Sequence, residues 1–112
     1  MRRALPPRAT DAHANRAKWV ELVRVRSSEE PLRATLPSLE RQVRSVADST
    51  PDAEALVLKH ALYEGDLAVV LVWQASAAPA RSREGLLVAE SLRRLGSVEH
   101  AVWMPVDDDV PL

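Results

Sequence analysis

The chain has 112 residues, with 15 Lys and Arg against 16 Asp and Glu, a net charge of −1 and no cysteine. That length supports one domain with a single modest core, and the balanced charge removes the electrostatic footprint of a nucleic-acid or acidic-lipid binder. The missing thiols exclude disulfides, thiolate zinc sites and cysteine nucleophiles, and fit a cytoplasmic protein.

Residues 1–16 carry Pro6, Pro7 and scattered arginines. They lack the apolar stretch a signal peptide needs, so a disordered basic arm is expected. The folded domain spans residues 17–105. Residues 18–26 are rich in β-branched side chains and read as a first strand. Ser27 with Glu30 resembles a capping box, and Pro31 suits a first helical turn. Leu32, Leu36, Leu39, Val43 and Val46 then recur at helical spacing, with Pro37 expected to bend the helix or delay its start to about Thr35.

Residues 56–62 and 67–74 read as two strands of a hairpin joined at Glu64–Gly65. A two-residue loop there pairs Leu62 with Leu67, His60 with Val69, Leu58 with Leu71 and Leu56 with Trp73. All eight then share one face, while Val57, Ala61, Ala68, Val70 and Val72 take the other. The return strand is apolar on both faces, whereas a sheet with one wet face alternates. Helices can cover one side, the one with the smaller residues. The bulky side calls for a second subunit or a ligand. The run from residue 67 to 73 is also the longest apolar stretch, too short to cross a membrane.

Ser82 is a good N-cap for a second helix, with Glu84 in its first turn. Val88, Leu92 and Leu95 form its stripe, and Gly96 is expected to end it in a left-handed conformation. Residues 98–104 form the last strand, and residues 106–112 an acidic tail. The order strand, helix, strand, strand, helix, strand is the ferredoxin-like βαββαβ arrangement. It is an α+β fold with a four-stranded antiparallel sheet and both helices on one face.

With this element order, the two-faced hairpin and the closing run of residues 96–103, the chain resembles the dimeric α/β barrel superfamily. That group includes the antibiotic-biosynthesis-monooxygenase-like and the stress-responsive α/β barrel proteins. The resemblance covers residues 18–104. It implies a homodimer formed through the sheet face, with a pocket for a small apolar or aromatic molecule and, in an enzyme, cofactor-free monooxygenase-like chemistry. The superfamily also contains haem-degrading enzymes and many members of unknown role, and a haem-binding protein and a non-catalytic structural or regulatory module are the alternatives.

Among individual residues, His60 sits mid-strand on the bulky face in this register, where an imidazole needs a partner. It is either an acid/base in the barrel or a satisfied buried histidine. His100 could join it, or lie at an edge. Trp73 and Trp103 can wall a pocket for an aromatic ligand or fill a dimer core, with Leu58 and Leu71 beside them. Two histidines with few candidate carboxylates nearby make a weak metal case, and neither a metal nor a bound cofactor is expected. The three glycines are isolated, which excludes a phosphate loop. No serine sits in a nucleophile elbow.

Overall fold

The computed structural model describes residues 18–74 and 78–106. The basic arm of residues 1–16 and residues 107–112 of the acidic tail lie outside the described residues. The elements are β1 (Trp19–Ser27), α1 (Glu29–Ser49), β2 (Ala53–Lys59), β3 (Asp66–Trp73), α2 (Arg83–Arg93) and β4 (Gly96–Trp103). The sheet order is β2-β3-β1-β4, with every neighbouring pair antiparallel. Each helix therefore joins two parallel strands that have a third strand between them. This is the split βαβ arrangement of a ferredoxin-like fold.

Both helices lie on one face of the sheet, α1 over β2 and α2 over β1 and β4. Between helices and sheet, Val23, Val25, Val69 and Leu71 of the strands meet Val88 and Leu92 of α2, all at 0% exposure. Each such side chain contributes roughly 1.5–3 kcal/mol on burial. Trp19 and Trp73, cross-strand partners, stack with ring centroids 5.5 Å apart.

Local details depart from the sequence reading in three places. The N-cap of α1 is Ser28 rather than Ser27, and its side chain makes no capping bond. Pro37 lies inside an unbroken 21-residue helix. Its ring sits on the exposed side, where water can satisfy the carbonyl that loses its N–H partner. Gly96 does not adopt positive φ but opens β4, where a Cβ would run into the carbonyl of Arg26. Close backbone approach, not a left-handed cap, requires glycine there.

The largest departure is at the hairpin. β2 ends at Lys59 and β3 begins at Asp66, so the connection has six residues, 60–65. Lys59 pairs with Leu67, Leu58 with Ala68 and Leu56 with Val70. Relative to a two-residue loop this register is displaced by three positions. An odd displacement turns β3 over relative to β2, whose Leu56 and Leu58 stay on the open side. Leu67, Val69, Leu71 and Trp73 therefore face the helices, and Leu71 is core rather than ligand-facing surface. The open face instead carries Ala68, Val70 and Val72 of β3, beside Leu56 (52% exposed) and Leu58 (48% exposed) of β2. The expectation that the sheet has a second apolar face holds, and no described element covers it. Its membership is changed.

That face is a grid of four rows. Glu54, Val72, Val20 and Trp103 form the first, and Leu56, Val70, Leu22 and Ala101 the second. Leu58, Ala68, Arg24 and Glu99 form the third, and Asp66, Arg26 and Ser97 the last. The face is thus apolar through its middle and charged at the end nearest the β2–β3 turn.

Candidate functional site

Two polar constellations stand out, one on each side of the sheet. On the helix side, Glu21 occupies the buried phase of β1 with Trp19, Val23 and Val25. Its Oε1 accepts from Trp73 Nε1 at 3.1 Å and Ser82 Oγ at 2.6 Å. Its Oε2 accepts from the Ser82 backbone N–H at 2.8 Å and meets His100 Nε2 at 2.5 Å. Ser82 Oγ in turn accepts from Gly85 N at 2.9 Å, completing the cap of α2. The carboxylate thus lies at the positive end of that helix. A Cβ on Gly85 would collide with the Glu21 carboxylate and the His100 ring, so this residue must be small.

Four donors saturate Glu21, and the side chains of Glu21 and His100 are 0% and 4% exposed. No solute can reach this carboxylate. Trp73 and His100 therefore meet not in a pocket but around a buried acid that clamps β1, β3, β4 and the start of α2 together. His100 Nδ1 is the remaining buried atom of the cluster, without a partner among the described residues.

The second constellation lies at the charged end of the open face, in a cleft of about 230 Å³ lined by Arg24, Leu58, Lys59, His60, Asp66 and Ala68 with Leu67 behind them. His60 is not mid-strand. It is the first residue of the turn, and its Nδ1 accepts from the backbone N–H groups of Leu62 at 3.0 Å and Tyr63 at 3.2 Å. Its ring lies 4.8 Å from that of Tyr63. With Nδ1 an acceptor, the neutral ring carries its proton on Nε2. His60 thus offers the cleft a hydrogen-bond donor.

Beside it, Arg24 Nη2 donates to Asp66 Oδ2 at 2.9 Å, and Arg26 Nε stands 3.5 Å from the same oxygen. The Arg24 hydrogen bond holds the Asp66 carboxyl below its ordinary range, opposed by burial and assisted by the fields of Arg26, Arg24 and His60. Arg24 also lies 3.9 Å from Glu99, and a second hollow of about 220 Å³ opens between Arg24, Arg26, Ser97 and Glu99.

Of the residues singled out from sequence, Leu58 and His60 line the cleft. Trp103 stands 60% exposed at the far end of the same face. Trp73, Leu71 and His100 point to the helix side. Sequence reasoning missed Glu21 as an organiser, although a carboxylate in phase with three apolar residues of a strand is itself a signal that it must find donors. Among the described residues, no group of three or more His, Asp or Glu is placed to hold a metal ion. No helix among them is long and apolar enough to cross a membrane.

No protein-family model matches the sequence, and no curated protein does so. Solved structures do match by fold. A conserved protein of unknown function from Bacteroides thetaiotaomicron superposes with a TM-score of 0.61 at 10% identity, covering 80% of this chain and 99% of that one. A candidate antibiotic biosynthesis monooxygenase from the same organism gives 0.59 at 10% identity, covering 85% and 95%. A variant of SnoaB, a cofactor-independent oxygenase from Streptomyces nogalater, gives 0.56 at 16% identity, covering 80% and 94%. The chain has the fold of the antibiotic-biosynthesis-monooxygenase-like proteins, as its element order led us to expect. At these identities the fold is what is shared.

Proposed function

We propose that the protein works as a homodimer, its two open sheet faces turned toward each other, and binds a small apolar or aromatic molecule in the His60 cleft. The observation that carries this reading is a face with an apolar middle and, at one end, a cleft containing Arg24 and the Nε2–H of His60. Exposed leucines and half-buried valines on that face favour pairing, since each is worth up to a few kcal/mol on removal from water. Leu58 and Ala68 supply an apolar floor, and His60 and Arg24 supply donors aimed at an oxygen of the ligand. A phenolic or quinone-like ring fits that set.

Should the protein be an enzyme, the likeness to SnoaB makes cofactor-independent oxygenation the reading to test. In such a reaction an electron-rich ring substrate is itself the reductant. An activated ring methylene and O₂ give a ring carbonyl and water, the carbon losing the four electrons that O₂ gains. His60 Nε2–H and Arg24 would stabilise the phenolate form of the substrate, which is electrostatic rather than general-base assistance.

The second reading is a non-catalytic dimeric module. It is favoured by the pairing of Arg24 with Asp66 and Glu99, which already occupies the guanidinium that would meet a ligand. Native mass spectrometry with a panel of hydroxylated polycyclic compounds that carry an activated ring methylene, followed by oxygen-uptake measurement, separates these. A dimer that binds and consumes O₂ supports the enzyme. One that binds without uptake supports the module. A monomer that binds nothing overturns the proposal.

A further inference from the structure

The relief of the open face is self-complementary, and this bears on how two copies meet once the dimer proposed above is granted. On β1 and β4 a knob and a hollow lie on opposite sides of the row Leu56, Val70, Leu22, Ala101. The knob is Trp103, one row above and 60% exposed. The hollow is the 220 Å³ space between Arg24, Arg26, Ser97 and Glu99, which occupies the two rows below. An isologous contact needs this relation, in which each patch meets its complement on the same surface of the partner.

A two-fold axis lying along that row sets β4 over β4 and brings each first row over the partner's third. Facing sheets cross at about 30°, which displaces the outer strand by about 4 Å, less than the roughly 7 Å between rows. We infer that the dimer axis runs along Leu56, Val70, Leu22 and Ala101, and that the partner's Trp103 seats in the Arg24–Arg26 hollow. The His60 cleft is then built by two chains.

The chemistry of the contact is specific. An indole face laid on a guanidinium is attractive, more so when water is excluded. Arg24 lines both the hollow and the His60 cleft, so an indole packed against one side holds the guanidinium toward the other. The partner's Val72, from its first row, roofs Ala68. An axis along the strands would instead set β4 over β2 and place Trp103 against the partner's Glu54. It would also crowd Arg24 and Arg26 of both copies around the axis and leave the hollow empty. The flat face offers about 450 Å² per copy, ~900 Å² for the pair before side-chain relief is added, near the ~1,000 Å² at which specific interfaces begin. A seated Trp103 makes that modest area sufficient.

The cysteine-free chain makes the test direct. Ala101→Cys places one thiol on the inferred axis row, so two copies present it to each other about 10 Å apart, the spacing of packed sheets. A short bismaleimide is expected to convert this variant to covalent dimer, and Leu56→Cys likewise. Cross-linking between Ala101→Cys and Leu56→Cys copies co-expressed in one cell, with neither variant linking to itself, means the strand-parallel axis and overturns the inference. So does a stable dimer in which neither variant links, and in both cases the dimer itself stands. Trp103→Ala, a change at an exposed position, is expected to weaken dimerisation roughly 30-fold by sedimentation equilibrium, as loss of a hot spot does. An unchanged association constant overturns the seating of Trp103. A wild-type monomer at all concentrations overturns the dimer reading beneath it.

Discussion

Replacing Glu21 tests the buried clamp most sharply. Glu21→Gln keeps the shape and one carbonyl oxygen, so two of the four hydrogen bonds survive. With the amide nitrogen at the Oε2 position, it opposes the Ser82 backbone N–H. Flipped, it opposes Trp73 Nε1–H. Either way one buried donor loses its acceptor, which costs about 1–3 kcal/mol, and the remaining bonds lose their charge assistance. A loss of about 2–3 kcal/mol is expected. Glu21→Ala strands Trp73 Nε1, Ser82 N and His100 together and opens a cavity, for an expected ~4–6 kcal/mol. That approaches the entire stability of a domain this size, about 6–17 kcal/mol. Glu21→Leu fills the volume yet satisfies no donor, so it should fall with Ala rather than with Gln. Urea unfolding followed by far-UV circular dichroism at pH 7 measures all three, with slopes checked for constancy. A Gln variant within about 1 kcal/mol of the parent, or a Leu variant as stable as Gln, would refute the claim that hydrogen-bond satisfaction is what Glu21 supplies.

Leu71→Ala should cost about 2–5 kcal/mol in the same assay, as a fully buried leucine does, and Leu71→Asp should not fold; a soluble, folded Leu71→Asp variant would return Leu71 to the open face. Because Arg24 lowers the folded-state pKa of Asp66, its contribution to stability is complete above the ordinary carboxylate value of 3.8 and is lost as pH falls through the lower folded value. Asp66→Asn should therefore flatten the acid limb of stability below that point, read from urea midpoints between neutral and strongly acidic pH. His60→Ala removes the acceptor for two turn amides and is expected to cost roughly 1 kcal/mol. Hydrogen exchange at Leu62 and Tyr63 should accelerate, and aromatic binding should weaken if His60 Nε2–H is a ligand donor.

The legible part of this fold was periodicity. The helical stripe from Leu32 to Val46, the Ser82 cap and the strand composition each reflect a local preference, and together they sufficed for element order. Register was not local. Six residues, 60–65, form a turn because the His60 imidazole satisfies two of its amides, and no composition rule anticipates a histidine serving its own turn. The resulting odd displacement moved Leu71 and Trp73 into the core, taking two expected ligand contacts with them. Glu21 and His100 are far apart in sequence and meet only through the β1–β4 register. Their partnership belongs to topology, although the buried phase of Glu21 was visible in the strand pattern.

The stacked Trp19–Trp73 pair has an optical consequence. Two stacked indoles with centroids 5.5 Å apart couple through their strong transition dipoles, so the native core should give a far-ultraviolet circular dichroism couplet that vanishes when β1 and β3 separate. The third indole, Trp103, is 60% exposed on the opposite face of the single chain and emits toward the red until that face is covered. The chain thus carries two reporters distinguishable by wavelength, one for the closing of its interior and one for whatever comes to cover its outer sheet.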